Sequence, residues 1–345
     1  MEKFDQRNTY QYKLRKSKFD ELKKLGSLLV CEKKYVFKRD YGNMLGVLMT
    51  KVDPKLILTF AQFYDPTLHY FIFQYCLLAP TLEEFSHIVH IPVRDQAPYM
   101  GYVGFPKVDL MAQALHLEKN LVKSNLRTKG NIRGFTLKFL FEKATLFARS
   151  ESWDALYAMF AILIYGLVLF PNIKGFLDKT SVTIFISINL VPSLLVDVLF
   201  SFQKRGGMGN CCIPLLYNWI LTHLPRRGPF VDNVGALKWS QRLMSLDVED
   251  VVWYCRDYDV VELIYRCGDF QNVPLVNARG GIVNYHHILL LHQLGYQLKE
   301  KFKDKLLEEF LLAEGVEDAY MMKRIRRAWG KVHCIGNCIL VESHT

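Results

Sequence analysis

The sequence predicts a mainly α-helical fold: a single large helical domain with a few short strands. Three observations predict it. Helix-capping residues stand ahead of apolar periodic runs, as Thr81 does with Glu84. Period-two alternation, the mark of half-buried strands, is scarce. Residues 155–170 form a run of sixteen apolar residues between Asp154 and Pro171, the pattern of a helix buried on every side.

Taken in order, residues 1–40 read as a basic N-terminal arm. They hold twelve Lys/Arg against six Asp/Glu, so most of the chain's formal charge of +10 sits there. Leu14, Phe19, Leu22 and Leu25 make an imperfect apolar stripe for one short helix, and short strands are expected near 30–40 and 270–283. Residues 41–75 begin the hydrophobic body. Thr81 and Glu84 form a capping box for a helix carrying Leu82, Phe85 and Val89, with Pro92 at its exit. Three prolines and two glycines make 92–110 a loop.

Helices over 136–148 and 153–170 follow, the second ended by Pro171. The apolar stretch 181–202 is interrupted by Asn189, Pro192 and Asp197. As a helix, 155–170 is about 24 Å long, short of the roughly 30 Å hydrocarbon core of a bilayer. A soluble fold is therefore expected. Residues 204–210 form a connection, and a helix over 213–224 stops before Pro225.

Asp247 with Asp250 is expected to cap a helix carrying Trp253 and Tyr254. Residues 269–282 are irregular, with one strand around 274–278. Asn284 is expected to cap a helix running to Leu294, where Gly295 suits a left-handed terminus. Helices over 298–314 and 317–329 complete the pattern. No internal repeat or long linker divides the chain. The expected organisation is a basic arm (1–40), one helical domain (41–333) and a short tail (334–345).

Half of the residues are hydrophobic and 23% are charged, which places the chain with globular proteins. The first twenty residues have no apolar core of a secretory signal. The eight cysteines are therefore expected as reduced thiols of an intracellular protein. Cys211-Cys212 precede an apolar helix, where they act as buried packing groups or as thiols activated by the helix N-terminus.

Several chemistries lack their residues. No Gly-rich turn with Lys and Ser/Thr is spaced for a phosphate loop. Gly207 and Gly209 begin a dinucleotide fingerprint that Cys212 breaks. His87 with His90, the group His286, His287 and His292, and the cluster His333, Cys334 and Cys338 offer metal-ligand spacing. None has a neighbouring second pair or an adjacent catalytic Glu. No catalytic residue, metal or cofactor is assigned.

The sharpest local feature is Lys323, Arg324, Arg326, Arg327 and Lys331: five cations in nine positions without an acid. Two readings fit it. Cations complement the dipole at a helix C-terminus, or the run presents a phosphate-contacting face with Trp329 beside it.

Six colinear strings carry a resemblance: LLAPTLEEFSHIVHIPV (77–93), LIYGLVLFPNI (163–173), CCIPLLYNWILTHLP (211–225), LKWSQRLMSL (237–246), NVPLVNARGGI (272–282) and RRAWGKVH (326–333). In these the chain resembles uncharacterised plant proteins related to the plant mobile domain, sometimes labelled aminotransferase-like and linked to transposable elements. The resemblance implies a non-enzymatic, nuclear, element-derived protein that binds nucleic acid or chromatin-associated partners. It brings no catalytic residues; the alternative it implies is an enzyme of transposition-related or transferase type, with a site assembled from distant residues. Members often continue beyond the equivalent of Arg327 into a charged, coiled-coil-like region, whereas this sequence ends at Thr345, as expected of a truncated element-derived product.

Overall fold

The computed structural model describes residues 12, 14, 19–66, 69–93, 106–187, 189–203, 211–253, 261–270, 272–276, 282–285 and 319–335. Helices dominate, as the capping pattern predicts. They are α1 (Asp20–Ser27), α2 (Cys31–Tyr41), α3 (Met44–Met49), α4 (Pro54–Phe60), α5 (Leu82–Val89), α6 (Val108–Ala114), α7 (Lys119–Asn125) and α8 (Leu137–Arg149). Then come α9 (Trp153–Ile164), α10 (Lys179–Ser187), α11 (Leu190–Gln203), α12 (Ile213–His223), α13 (Pro229–Asp232), α14 (Trp239–Met244) and α15 (Ala319–Trp329).

The strands form small antiparallel sheets. β1 (Tyr64–Asp65), β2 (Tyr70–Ile72) and β3 (Leu77–Leu78) make one, and β4 (Arg127–Lys129), β5 (Ile132–Thr136) and β6 (Phe176–Asp178) another. β7 (Leu263–Cys267) pairs with β10 (Val332–Ile335), and β8 (Val273–Val276) with β9 (Ile282–Tyr285).

α9 is the hydrophobic centre. Every residue from Ala155 to Ile164 is buried, and the helix packs against α8, α1, α3 and α10. Burying each large apolar side chain contributes about 1.5–3 kcal/mol, so an all-apolar helix is stable only when enclosed by protein or lipid. Its end widens into a π-helical turn, Tyr165–Leu169, closed by the Phe170 amide on the Tyr165 carbonyl at 2.8 Å. Gly166 lets Leu177 pack close there: a Cβ would stand 2.2 Å from Leu177 Cδ1 and push that side chain aside. Pro171 then prevents continuation. Among the described residues, no helix is long and apolar enough to cross a membrane.

The capping box of α5 is present as read from sequence. Thr81 Oγ1 accepts from the Glu84 amide at 3.1 Å, and Glu84 Oε2 accepts from the Thr81 amide at 3.0 Å. Thr136 likewise caps α8.

Three local expectations are corrected. The strand expected near 30–40 is helix α2, because Lys33, Val36, Phe37 and Tyr41 face inward at helical spacing while the residues between them are exposed. Phe37 is fully buried against Tyr41, Tyr157 and Phe160. Asp247 and Asp250 do form a reciprocal cap, but over a single 3-10 turn, Val248–Asp250. The chain is pulled out of helix there because Val252 bonds through both its amide and its carbonyl to His223. Asn284 lies within β9 opposite Pro274 rather than ahead of its first residue, in a hairpin that packs on α11.

Within the stretch expected as an arm, Leu22 and Leu25 of α1, Leu29 after it and Phe37 of α2 join the same core as α9. In the stretch expected as the loop 92–110, α6 already begins at Val108. The expected connection 204–210, the helices expected over 284–294 beyond Tyr285 and over 298–314, and Tyr254 lie outside the described residues.

Candidate nucleic-acid interface

The basic run falls on α15, whose sequence AYMMKRIRRAW is apolar on one face only. Ile325, Ala328 and Trp329 point into the core, at spacings of three and four. Trp329 is fully buried and its Nε1 donates to the Pro274 carbonyl at 3.1 Å. Of the two roles open to it, this tryptophan serves as an anchor. Lys323, Arg324, Arg326 and Arg327 are left exposed. Among the described residues no carboxylate pairs with Lys323, Arg326, Arg327 or Lys331.

Lys331 follows the helix and leads into β10, which pairs with β7 so that Val332 faces Cys267 and His333 faces Arg266. The turn after β7 is tight: Cys267 and Phe270 exchange backbone hydrogen bonds at 3.0 and 3.3 Å around Gly268 and Asp269. Gly268 has φ +58, and its amide donates to the Lys331 carbonyl at 2.9 Å. A Cβ at this position would lie 2.8 Å from Ala328 Cα, so the turn and the helix end touch backbone to backbone.

Between them opens a cleft of about 480 Å³ lined by Arg266, Gly268, Asp269, Phe270, Lys331 and His333. The Arg324 guanidinium stands 5.4 Å over the Phe270 ring, and the rings of Tyr265 and His333 lie 6.2 Å apart at the rim. The structure thus brings two of the five predicted cations, Lys331 and Arg324, beside a pocket. It spreads Lys323, Arg326 and Arg327 along the adjoining helix face.

Arg266, Asp269 and Phe270 escaped the sequence reading. The one available signal was the strand LIYRC, in which Arg266 stands exposed between the half-buried Tyr265 and the buried Cys267. Nothing in the sequence joined it to residues some sixty-five positions later.

A second constellation is wholly interior. Glu83 and Glu84, in the first turn of α5, are 2% and 1% exposed. Glu84 Oε2 also accepts from Trp219 Nε1 at 2.8 Å, and Oε1 lies 2.9 Å from His223 Nε2. The other ring nitrogen, Nδ1, faces the Val252 carbonyl at 3.1 Å. A carbonyl only accepts, so Nδ1 donates in that bond. Glu83 accepts from the Ile264 amide at 2.7 Å and from the Tyr285 hydroxyl. Burial pushes its carboxyl up to about 7, against the hydrogen bonds from Tyr285 and Ile264. This network fastens β7 and β9 to α5 and α12, and so holds the ribbon that carries Arg266.

The other sequence candidates separate. His87 and His90 have ring centroids 6.1 Å apart on α5 and its cap. His333 and Cys334 are exposed on β10, and Cys338, His286, His287 and His292 lie outside the described residues. Among the described residues no group of three His, Cys, Asp or Glu stands together to hold a metal ion. Burial pushes the Cys212 thiol up to about 12 and raises that of Cys211 as well. Of the two roles read for this pair, packing is the one the fold supports.

No curated protein and no solved structure matches this chain. The family model described as Domain of unknown function (DUF7745) matches residues 22–343, a span that includes both the polar network and the basic helix, and the chain belongs to that family.

Proposed function

We propose that this chain is a non-enzymatic nucleic-acid-binding protein that holds phosphates along the outer face of α15 and into the cleft beside it. The observation that carries this reading is the row of Lys323, Arg324, Arg326 and Arg327, exposed on a helix pinned by Trp329 and continued by Lys331. Cations without partner carboxylates leave their charge available to a polyanion, and release of condensed counterions drives such binding. Dipole complementation accounts for the last turn of the helix alone; Lys323 and Arg324 lie further back. A nuclear setting, and descent from a transposable element through kinship with the plant mobile domain, rest on the six sequence strings and extend the same proposal.

The test is salt-titrated binding of the chain and of the double variant R326A/R327A to unrelated duplexes. Affinity should fall by a similar factor on every sequence, because phosphate contacts position a protein without reading bases. The log–log salt slope should flatten by about 0.9 for each duplex phosphate that the variant no longer neutralises. An unchanged slope and affinity would remove α15 from the functional account.

A further inference from the structure

The cleft beside α15 has a composition that a simple phosphate-binding surface does not need. Arg266, Lys331 and His333 supply hydrogen-bond donors, but Asp269 stands at the tip of the turn and repels a phosphate. Phe270 is half-buried, with Arg324 over its ring. The two-residue turn that Gly268 permits sets the backbone positions of both. A carboxylate and an aromatic ring beside cations are the groups that bind the base as well as the backbone of a nucleotide.

We infer that this cleft takes one unpaired nucleotide of a single strand, with its base between Phe270 and Asp269 and its phosphate toward Arg266, Lys331 and His333. The inference rests on the nucleic-acid reading of α15 and narrows it. A cleft of about 480 Å³ falls within the ~300–1,000 Å³ of small-ligand sites. A duplex keeps its bases stacked inside and has none to offer. A single strand can present a base that stacks on an aromatic ring and exposes its Watson–Crick edge. The Asp269 side-chain oxygens are hydrogen-bond acceptors. They therefore favour the base edge richest in adjacent N–H donors, which is that of guanine, with its ring N–H beside an amino group. Thymine offers one ring N–H flanked by two carbonyl oxygens.

Fluorescence anisotropy tests this with three probes: a short thymidine strand carrying one central guanine, the all-thymidine strand, and the duplex of the first. The wild-type chain should prefer the guanine strand to both others. F270A should lose about five- to a hundredfold on single strands, the effect of removing one stacking platform, and little on the duplex. D269N, at an exposed turn tip, should lose the preference for guanine and, with the charge that repels phosphate gone, bind the all-thymidine strand at least as tightly as wild type. It decides the matter should F270A fold poorly. Equal wild-type affinity for strand and duplex, or a guanine preference untouched by D269N, overturns the cleft assignment and leaves α15 as a phosphate-binding face. Absence of binding to every probe overturns both.

Discussion

Glu83 and Glu84 are neighbours in sequence and divergent in role. Glu84 closes the capping box and meets Trp219 and His223 on α12, while Glu83 turns to the Ile264 amide and Tyr285. Buried carboxyls persist only when hydrogen-bonded, and each of these is. With its folded value raised from 4.5 to about 7, Glu83 holds a proton that the unfolded chain would release. Its contribution is fully present below the unfolded value and is lost as pH rises through about 7. Against wild type, E83Q should therefore gain about 3 kcal/mol of relative stability between about pH 4 and pH 8. Urea unfolding of both proteins across that range reads it directly. A difference independent of pH would mean that Glu83 titrates alike in both states. The sequence disclosed Glu84 as a cap; that either carboxyl faces His223 or Tyr285 was beyond it, because those partners lie more than 130 positions away.

At the scale of elements, the unit of α15, β7 and β10 depends on one backbone contact. Gly268 combines a left-handed φ with an approach that leaves no room for Cβ beside Ala328. G268A should cost about 1–3 kcal/mol through backbone strain and through displacement of the helix end. Thermal unfolding should register the loss, and the salt slope of nucleic-acid binding should change with it, because Lys331 moves with the turn. Wild-type stability in G268A would show that the turn and helix are not in fixed contact. α5 was legible because cap, apolar period and exit proline agreed, and α9 and α12 because apolar runs met the stops at Pro171 and Pro225. α2 and β9 were not. Short stretches carry both periods, and packing on α3 or α11 chose between them.

Among the described residues, one continuous core runs from Tyr12 to Trp329, with α9 enclosed at its centre. That burial sets the behaviour of the cysteines. No disulfide joins the six that lie among the described residues; Cys31 and Cys334 are exposed, and Cys76, Cys211, Cys212 and Cys267 are buried. Native labelling with a thiol reagent, followed by mass mapping, should modify Cys31 and Cys334 first. The four buried thiols should react at the rate of global unfolding, because desolvation also keeps them protonated. Rapid modification of Cys211 or Cys212 in the native state would show that the centre of the core opens locally.

By itself, the sequence determined what depends on near neighbours: a mainly helical chain, the capped start of α5, the Pro171 stop, and a cationic helix near the C-terminal end. Periodicity and capping act over a few residues, so they survive in one dimension. Only the tertiary structure decided which face of α15 looks outward, because Trp329 had to find Pro274 before the cations were committed to the surface. It alone placed Arg266, Asp269 and Phe270 beside Lys331, and Glu83 and Glu84 among Tyr285, Trp219 and His223. Burial and charge pairing are set by partners far along the chain, and they come into being only when the core closes.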